Sequence, residues 1–101
     1  MAAAQRLLLQ QLSGEGTDGL AVESLYPNPV ADRATLVLNR RFLAPETQLT
    51  VTDALGRTHR PDWSSVGNGR LELDAGGLAA GWYVATVVQG EEAAQISFVV
   101  R

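Results

Sequence analysis

Apolar and polar residues alternate through most of the chain after residue 19. Ala34, Leu36 and Leu38 alternate with Arg33, Thr35, Val37 and Asn39, and Leu49 and Val51 alternate with Gln48, Thr50 and Thr52. Leu71 and Leu73 repeat the scheme against Arg70, Glu72 and Asp74, as do Ile96, Phe98 and Val100 against Gln95, Ser97 and Arg101. Successive side chains of a strand point to opposite faces, so a period of two predicts half-buried strands. Trp82 to Val88 is apolar at nearly every position, which predicts a central strand covered on both faces. With Leu20 to Tyr26 and a weaker strand at Arg57 to Arg60, the pattern predicts seven strands.

The punctuation between these runs agrees. Asp53-Ala54-Leu55-Gly56 places Asp first and Gly fourth, as a type I turn closing a hairpin does. Gly67-Asn68-Gly69 and Gln89-Gly90-Glu91 are further hairpin turns. Tyr26-Pro27-Asn28-Pro29 is a different kind of break. Proline has no N–H for a ladder and holds the preceding residue extended, so the segment predicts a rigid corner, with the Asn28 side chain bonding nearby backbone. Short strands, frequent turns and no helical pattern after residue 19 predict an all-β, immunoglobulin-like antiparallel β-sandwich of about seven strands. A small open barrel is the alternative architecture.

Residues 1–19 read differently. Ala2 to Leu12 is rich in helix formers, with Leu8, Leu9 and Leu12 on one stripe, and predicts a short N-terminal helix. Ser13 to Gly19 is small, polar and glycine-rich, and predicts a flexible linker. The expected division is 1–19 as helix and linker, upstream of the domain, and 20–101 as the domain itself. Gln10 and Gln11 break the leucine run too soon for a secretory signal.

Composition narrows the function. The 101 residues suffice for one core, and the absence of cysteine excludes disulfides, thiolate metal sites and a Cys nucleophile. All eight basic residues are arginine, with a net charge of −3, and only Arg40-Arg41 are adjacent, so nucleic acid is not an expected partner. No segment reaches the roughly 18 apolar residues of a membrane span, so stable membrane insertion is not expected either.

Candidate chemistry is sparse. His59 is the single histidine and no G-x-S-x-G occurs, which predicts a solvated strand histidine rather than a catalytic base. One His and no Cys exclude the common zinc sets, and Asp53, Asp62, Asp74 and Glu91-Glu92 lack calcium-loop spacing. Gly76-Gly77-Leu78-Ala79-Ala80-Gly81 precedes a strand, not a helix, so it is no phosphate loop; Leu78 reads as a plug. No catalytic residue, metal or cofactor is expected. Trp63, in an expected loop after Pro61-Asp62, and Trp82, which opens a strand beside Tyr83, are the candidates for a sugar-stacking platform; the alternative is that Tyr83 or Trp82 fills the core.

Four landmarks fall in order: Tyr26-Pro27-Asn28-Pro29, then Leu49 to Arg57 with Asp53 and Gly56, then Leu78 to Val87 with Gly81 and Tyr83, then the apolar strand ending at Arg101. From about Leu25 to Arg101 the chain resembles the type A C-terminal sorting domain of type IX secretion cargo, with its "YPNP" opening, its "v-x-D-x-x-G-(K/R)" hairpin and its "L-x-x-G-x-Y" strand. The resemblance implies a non-enzymatic address label on a larger exported protein, read by the outer-membrane type IX translocon. It implies periplasmic transit, removal by a sortase-like peptidase, and an upstream cargo domain left on the cell surface or secreted. Carried over by position, the recognition candidates are Pro27, Asn28, Pro29, Gly56, Gly81, Tyr83, Val99, Val100 and Arg101. The flexible stretch at Gly16, Thr17, Asp18 and Gly19 is the candidate cleavage region. Two features depart from the family pattern: the last strand carries one cation where lysines are usual, and Trp82 is bulkier than the usual aliphatic residue. The alternative function is a carbohydrate-binding or adhesive sandwich of a surface enzyme using Trp63 and Trp82. A third is a module that self-associates through the leucine helix.

Overall fold

The computed structural model describes residues 19–101, and these form strands and connections with no helix. Eight strands follow one another: β1 (Val22–Tyr26), β2 (Arg33–Leu38), β3 (Gln48–Asp53), β4 (Thr58–His59), β5 (Trp63–Gly67), β6 (Arg70–Asp74), β7 (Gly81–Gln89) and β8 (Glu92–Val100). They make two four-stranded antiparallel sheets, ordered β1-β2-β6-β5 and β4-β3-β7-β8. The helix expected at the N-terminus, and the linker up to Asp18, lie outside the described residues.

The core sits between the sheets and is built from the predicted faces. Ala34, Leu36, Leu38, Leu71 and Leu73 from one sheet meet Leu49, Val51, Ala85, Val87, Phe98 and Val100 from the other, all buried. Burying a Leu, Val or Phe side chain stabilises by about 1.5–3 kcal/mol, so these alternating positions carry the fold. Val30, which belongs to none of the strands, is also fully buried.

Three expectations need correction. Among the described residues there are eight strands rather than seven, because Trp63–Gly67 is a strand and not a loop. It pairs with β6 at the sheet edge and buries only part of Trp63, so its sequence carries no alternating apolar signal. β7 lies centrally in its sheet but is covered on one face only: Tyr83, Ala85, Val87 and Gln89 are buried, whereas Trp82 is 64% exposed. Finally, His59 is not freely solvated. It is half-buried, its ring edge meets Tyr83 at 6.0 Å between centroids, and its Nε2 lies 2.9 Å from Asp53 Oδ2.

The domain closes at its start on Asn39. That side chain accepts from the Ala21 N–H and donates to the Gly19 carbonyl, while its own N–H donates to the Ala21 carbonyl. Arg40, next in sequence, reaches across to the other sheet and donates to Gln89, with Glu92 as its ion-pair partner at 2.6 Å. Gln89 is buried and donates in turn to Thr47 Oγ1, whose hydroxyl donates to the Ala44 carbonyl. A buried polar group without partners costs about 1–3 kcal/mol, and this chain of bonds satisfies Gln89 and Thr47.

Candidate recognition surface

The Tyr26-Pro27-Asn28-Pro29 segment moves the chain from one sheet to the other. Both X–Pro bonds are cis. β1 pairs with β2 up to Tyr26, and then Val30 forms a parallel bridge with Val100 of β8. The Val30 N–H donates to the Val99 carbonyl at 2.7 Å, and the Arg101 N–H donates to the Val30 carbonyl at 2.9 Å. Asn28 Oδ1 accepts from the Val99 N–H at 3.0 Å. The asparagine therefore bonds backbone, as expected, but backbone 71 positions away. A proline-bounded corner suits this task, because it leaves the ladder of one sheet and covers an edge of the other.

The Asp53 turn is organised by one carboxylate. Asp53 Oδ1 accepts from the N–H groups of Leu55 and Arg57, and Oδ2 accepts from Arg57 Nε at 2.8 Å. Gly56 takes φ +85°, which a side chain would resist, and its N–H donates to the Asp53 carbonyl. The Asp, the Gly and the Arg of this landmark thus each have a place in the turn. The His59 hydrogen bond is the largest cause holding the Asp53 carboxyl well below the ordinary carboxylate range. Burial opposes the shift, and the Arg57 N–H, the Arg57 guanidinium and the Leu55 N–H reinforce it.

A carboxyl whose folded pKa is depressed binds its proton more readily when unfolded. Its contribution to stability is therefore complete above the unfolded value of about 3.9 and is lost as pH falls through the folded value. The melting temperature should fall as pH drops below about 4, and Asp53→Asn should flatten that part of the profile. Parallel pH profiles for parent and variant would remove Asp53 from the acid response.

Tyr83 explains the third landmark. It is buried, stacks on Phe98 with ring centroids 5.7 Å apart, and its hydroxyl donates a short hydrogen bond to the Ala79 carbonyl four residues upstream. Leu78 is partly buried and packs against the core, as the expected plug. Gly81 opens β7 opposite Val100.

The predicted residues accordingly divide. Tyr83 and Val100 are buried; Pro27, Asn28, Pro29, Gly56 and Arg101 are exposed; Val99 is half-buried. The four landmarks, scattered over some three-quarters of the sequence, meet at one end of the sandwich. Asp53 pairs with Tyr83, Gly81 pairs with Val100, Trp82 pairs with Val99, and Asn28 bonds Val99. Trp63 and Trp82 lie on different sheets, so they do not share a face. Of the cleavage region, Gly19 is exposed, and Gly16, Thr17 and Asp18 lie outside the described residues.

Sequence reasoning missed Val30 as a core residue, Asn39 as the clasp on the domain's start, and Leu55 as an exposed side chain in the Asp53 turn. Only the exposed leucine in a charged turn carried a signal. Among the described residues no cluster of three or more His, Cys, Asp or Glu is placed to hold a metal, and no helix is long and apolar enough to cross a membrane.

No curated protein matches the chain. The family of the secretion system C-terminal sorting domain matches residues 24–101, a span that contains all four landmarks and every strand from β2 onward. On that match, over more than three-quarters of its length, the chain belongs to the family of type IX secretion C-terminal sorting domains.

Proposed function

We propose that residues 20–101 are a non-enzymatic signal that carries an upstream cargo domain from the periplasm through the outer-membrane type IX translocon. A sortase-like peptidase then removes the signal, and the cargo is attached to the surface or released. Membership of a sorting-domain family implies contact with the type IX machinery and export to the surface or medium. The observation that carries the finer reading is the meeting of the four landmarks at one end of the sandwich. An address read by a partner needs one accessible surface, and Pro27, Asn28, Pro29, Gly56, Gly81, Tyr83, Val99, Val100 and Arg101 all contribute to that end or support it.

The domain starts at Leu20, the first buried residue among those described. Its fold is immunoglobulin-like: the sheet orders β1-β2-β6-β5 and β4-β3-β7-β8 fit that topology with one added strand, and Tyr83 bonding Ala79 has the form of a tyrosine corner. Cleavage falls at Gly16 to Gly19, a stretch that runs up to the clasp in which Asn39 holds Gly19 and Ala21.

Fusing residues 20–101, preceded by 13–19, to a periplasmic reporter in a type IX-competent host should place the reporter on the surface or in the medium. Mass spectrometry should locate its new terminus between residues 13 and 21. Retention in the periplasm would overturn the sorting role, and a cut inside a strand would overturn the cleavage site. A glycan-binding module is favoured only by the exposure of Trp82, which offers a single ring rather than a platform.

A further inference from the structure

The two outer faces of the sandwich differ in charge. On the β1-β2-β6-β5 sheet, Arg33, Arg70, Glu72 and Asp74 point outward, and Arg33 pairs with Glu72 at 3.4 Å. On β3, β7 and β8, by contrast, none of the side chains on the face away from the core is charged, although 8 Arg and 11 acidic residues are spread through the chain. Strand pairing places these residues side by side. Trp82, Val84 and Val99 form an apolar end, and Thr50, Thr86 and Gln95 form a hydroxyl and amide middle, with Gln95 donating to Thr86 Oγ1. The apolar end is the one where the landmarks meet.

Interface centres are depleted in charged residues and rich in aromatics, and truncating a central Trp often removes much of the affinity. We infer that this face is the docking surface for a protein of the type IX machinery that presents an uncharged, largely apolar surface; the inference rests on the sorting role proposed above. Three strands at about 4.8 Å spacing and about 30 Å of strand length give a face of roughly 400 Å². Two copies of the chain joined through it would bury only about 800 Å² in total, short of the roughly 1,200–2,000 Å² of a stable complex. A second copy therefore does not suit it. A receptor that must hold and then release its cargo does.

The test uses the reporter fusion carrying Trp82→Ala or Ser97→Glu, the second placing a charge on the exposed face, and Val37→Glu on the opposite outer face as control. Trp82→Ala and Ser97→Glu should each cut surface reporter by about tenfold or more. Melting temperatures should stay within about 3 °C of the parent, as for other surface changes. Val37→Glu should export like the parent. Normal export of both Trp82→Ala and Ser97→Glu would overturn the docking surface while leaving the sorting role intact. Failure of the unmutated fusion to export would overturn the sorting role and this surface with it. A parent domain that elutes as a dimer, with Ser97→Glu monomeric, would assign the face to a second copy. Tryptophan fluorescence that responds to surface glycans would assign it to sugar. Either result would overturn the receptor reading.

Discussion

Gly69→Ala should remove about 3 kcal/mol or more of stability, a large share of the roughly 4–12 kcal/mol expected for a domain of this size. Gly69 is buried, has φ +74°, and closes the turn between β5 and β6. A Cβ placed there would lie 1.6 Å from the Arg40 carbonyl oxygen and 2.8 Å from its carbon. Both atoms are backbone and have no rotamer by which to move aside. The Gly69 carbonyl also accepts from the Leu38 N–H, so the turn is held against the end of β2 on both sides. Shifting Arg40 would disturb the bonds by which it links the two sheets through Gln89 and Glu92. Gly67, with φ +93° and nothing within 4 Å of an added Cβ, provides the comparison. Gly67→Ala bears only the backbone cost of about 1–2 kcal/mol. Thermal melts should show a fall of roughly 15 °C or more for Gly69→Ala, and about half of that or less for Gly67→Ala. Equal losses would show that the close approach of Arg40 is not what requires glycine at 69.

The same glycine shows how far sequence could go. Gly67-Asn68-Gly69 is legible as a turn because adjacent Gly and Asn permit positive φ, but nothing local says that the second glycine lies against residue 40. The core faces of β2, β3 and β6 were legible for a similar local reason: alternation is written into each strand by its own residues. β5 was not, since Ser64, Ser65 and Val66 are exposed and an edge strand that buries little has no period to display. Asn28 could be read as a backbone-bonding residue, but its partner is 71 positions away and is set by how the sheets come together. Asp53, Gly56 and Arg57 are legible as one turn motif, whereas the carboxylate's remaining partner, His59, emerges only when β4 folds back on β3.

Phe98→Ala should be comparably damaging, at about 3–5 kcal/mol, because it removes a fully buried ring and leaves a cavity in the sheet that carries the landmarks. The ring is stacked on Tyr83, which in turn meets His59, so its loss unsettles the contact between β7, β8 and the Asp53 turn together. Urea unfolding should show the midpoint falling by roughly 2 M or more at a typical slope. A loss below about 1 kcal/mol would mean that β8 does not pack as described. The size of this effect decides how the C-terminal strand must be studied. Phe98 and Val100 point into the core, whereas Val99 lies on the outer face beside Trp82. Export lost through Phe98→Ala or Val100→Ala would report unfolding. Export lost through Val99→Ala at an unchanged urea midpoint would report recognition, because that side chain contributes little to the core. Asn28 stands between the two cases. Its single bond to the Val99 N–H contributes about 1 kcal/mol, so an export defect there speaks for recognition only when it exceeds what that loss of stability explains.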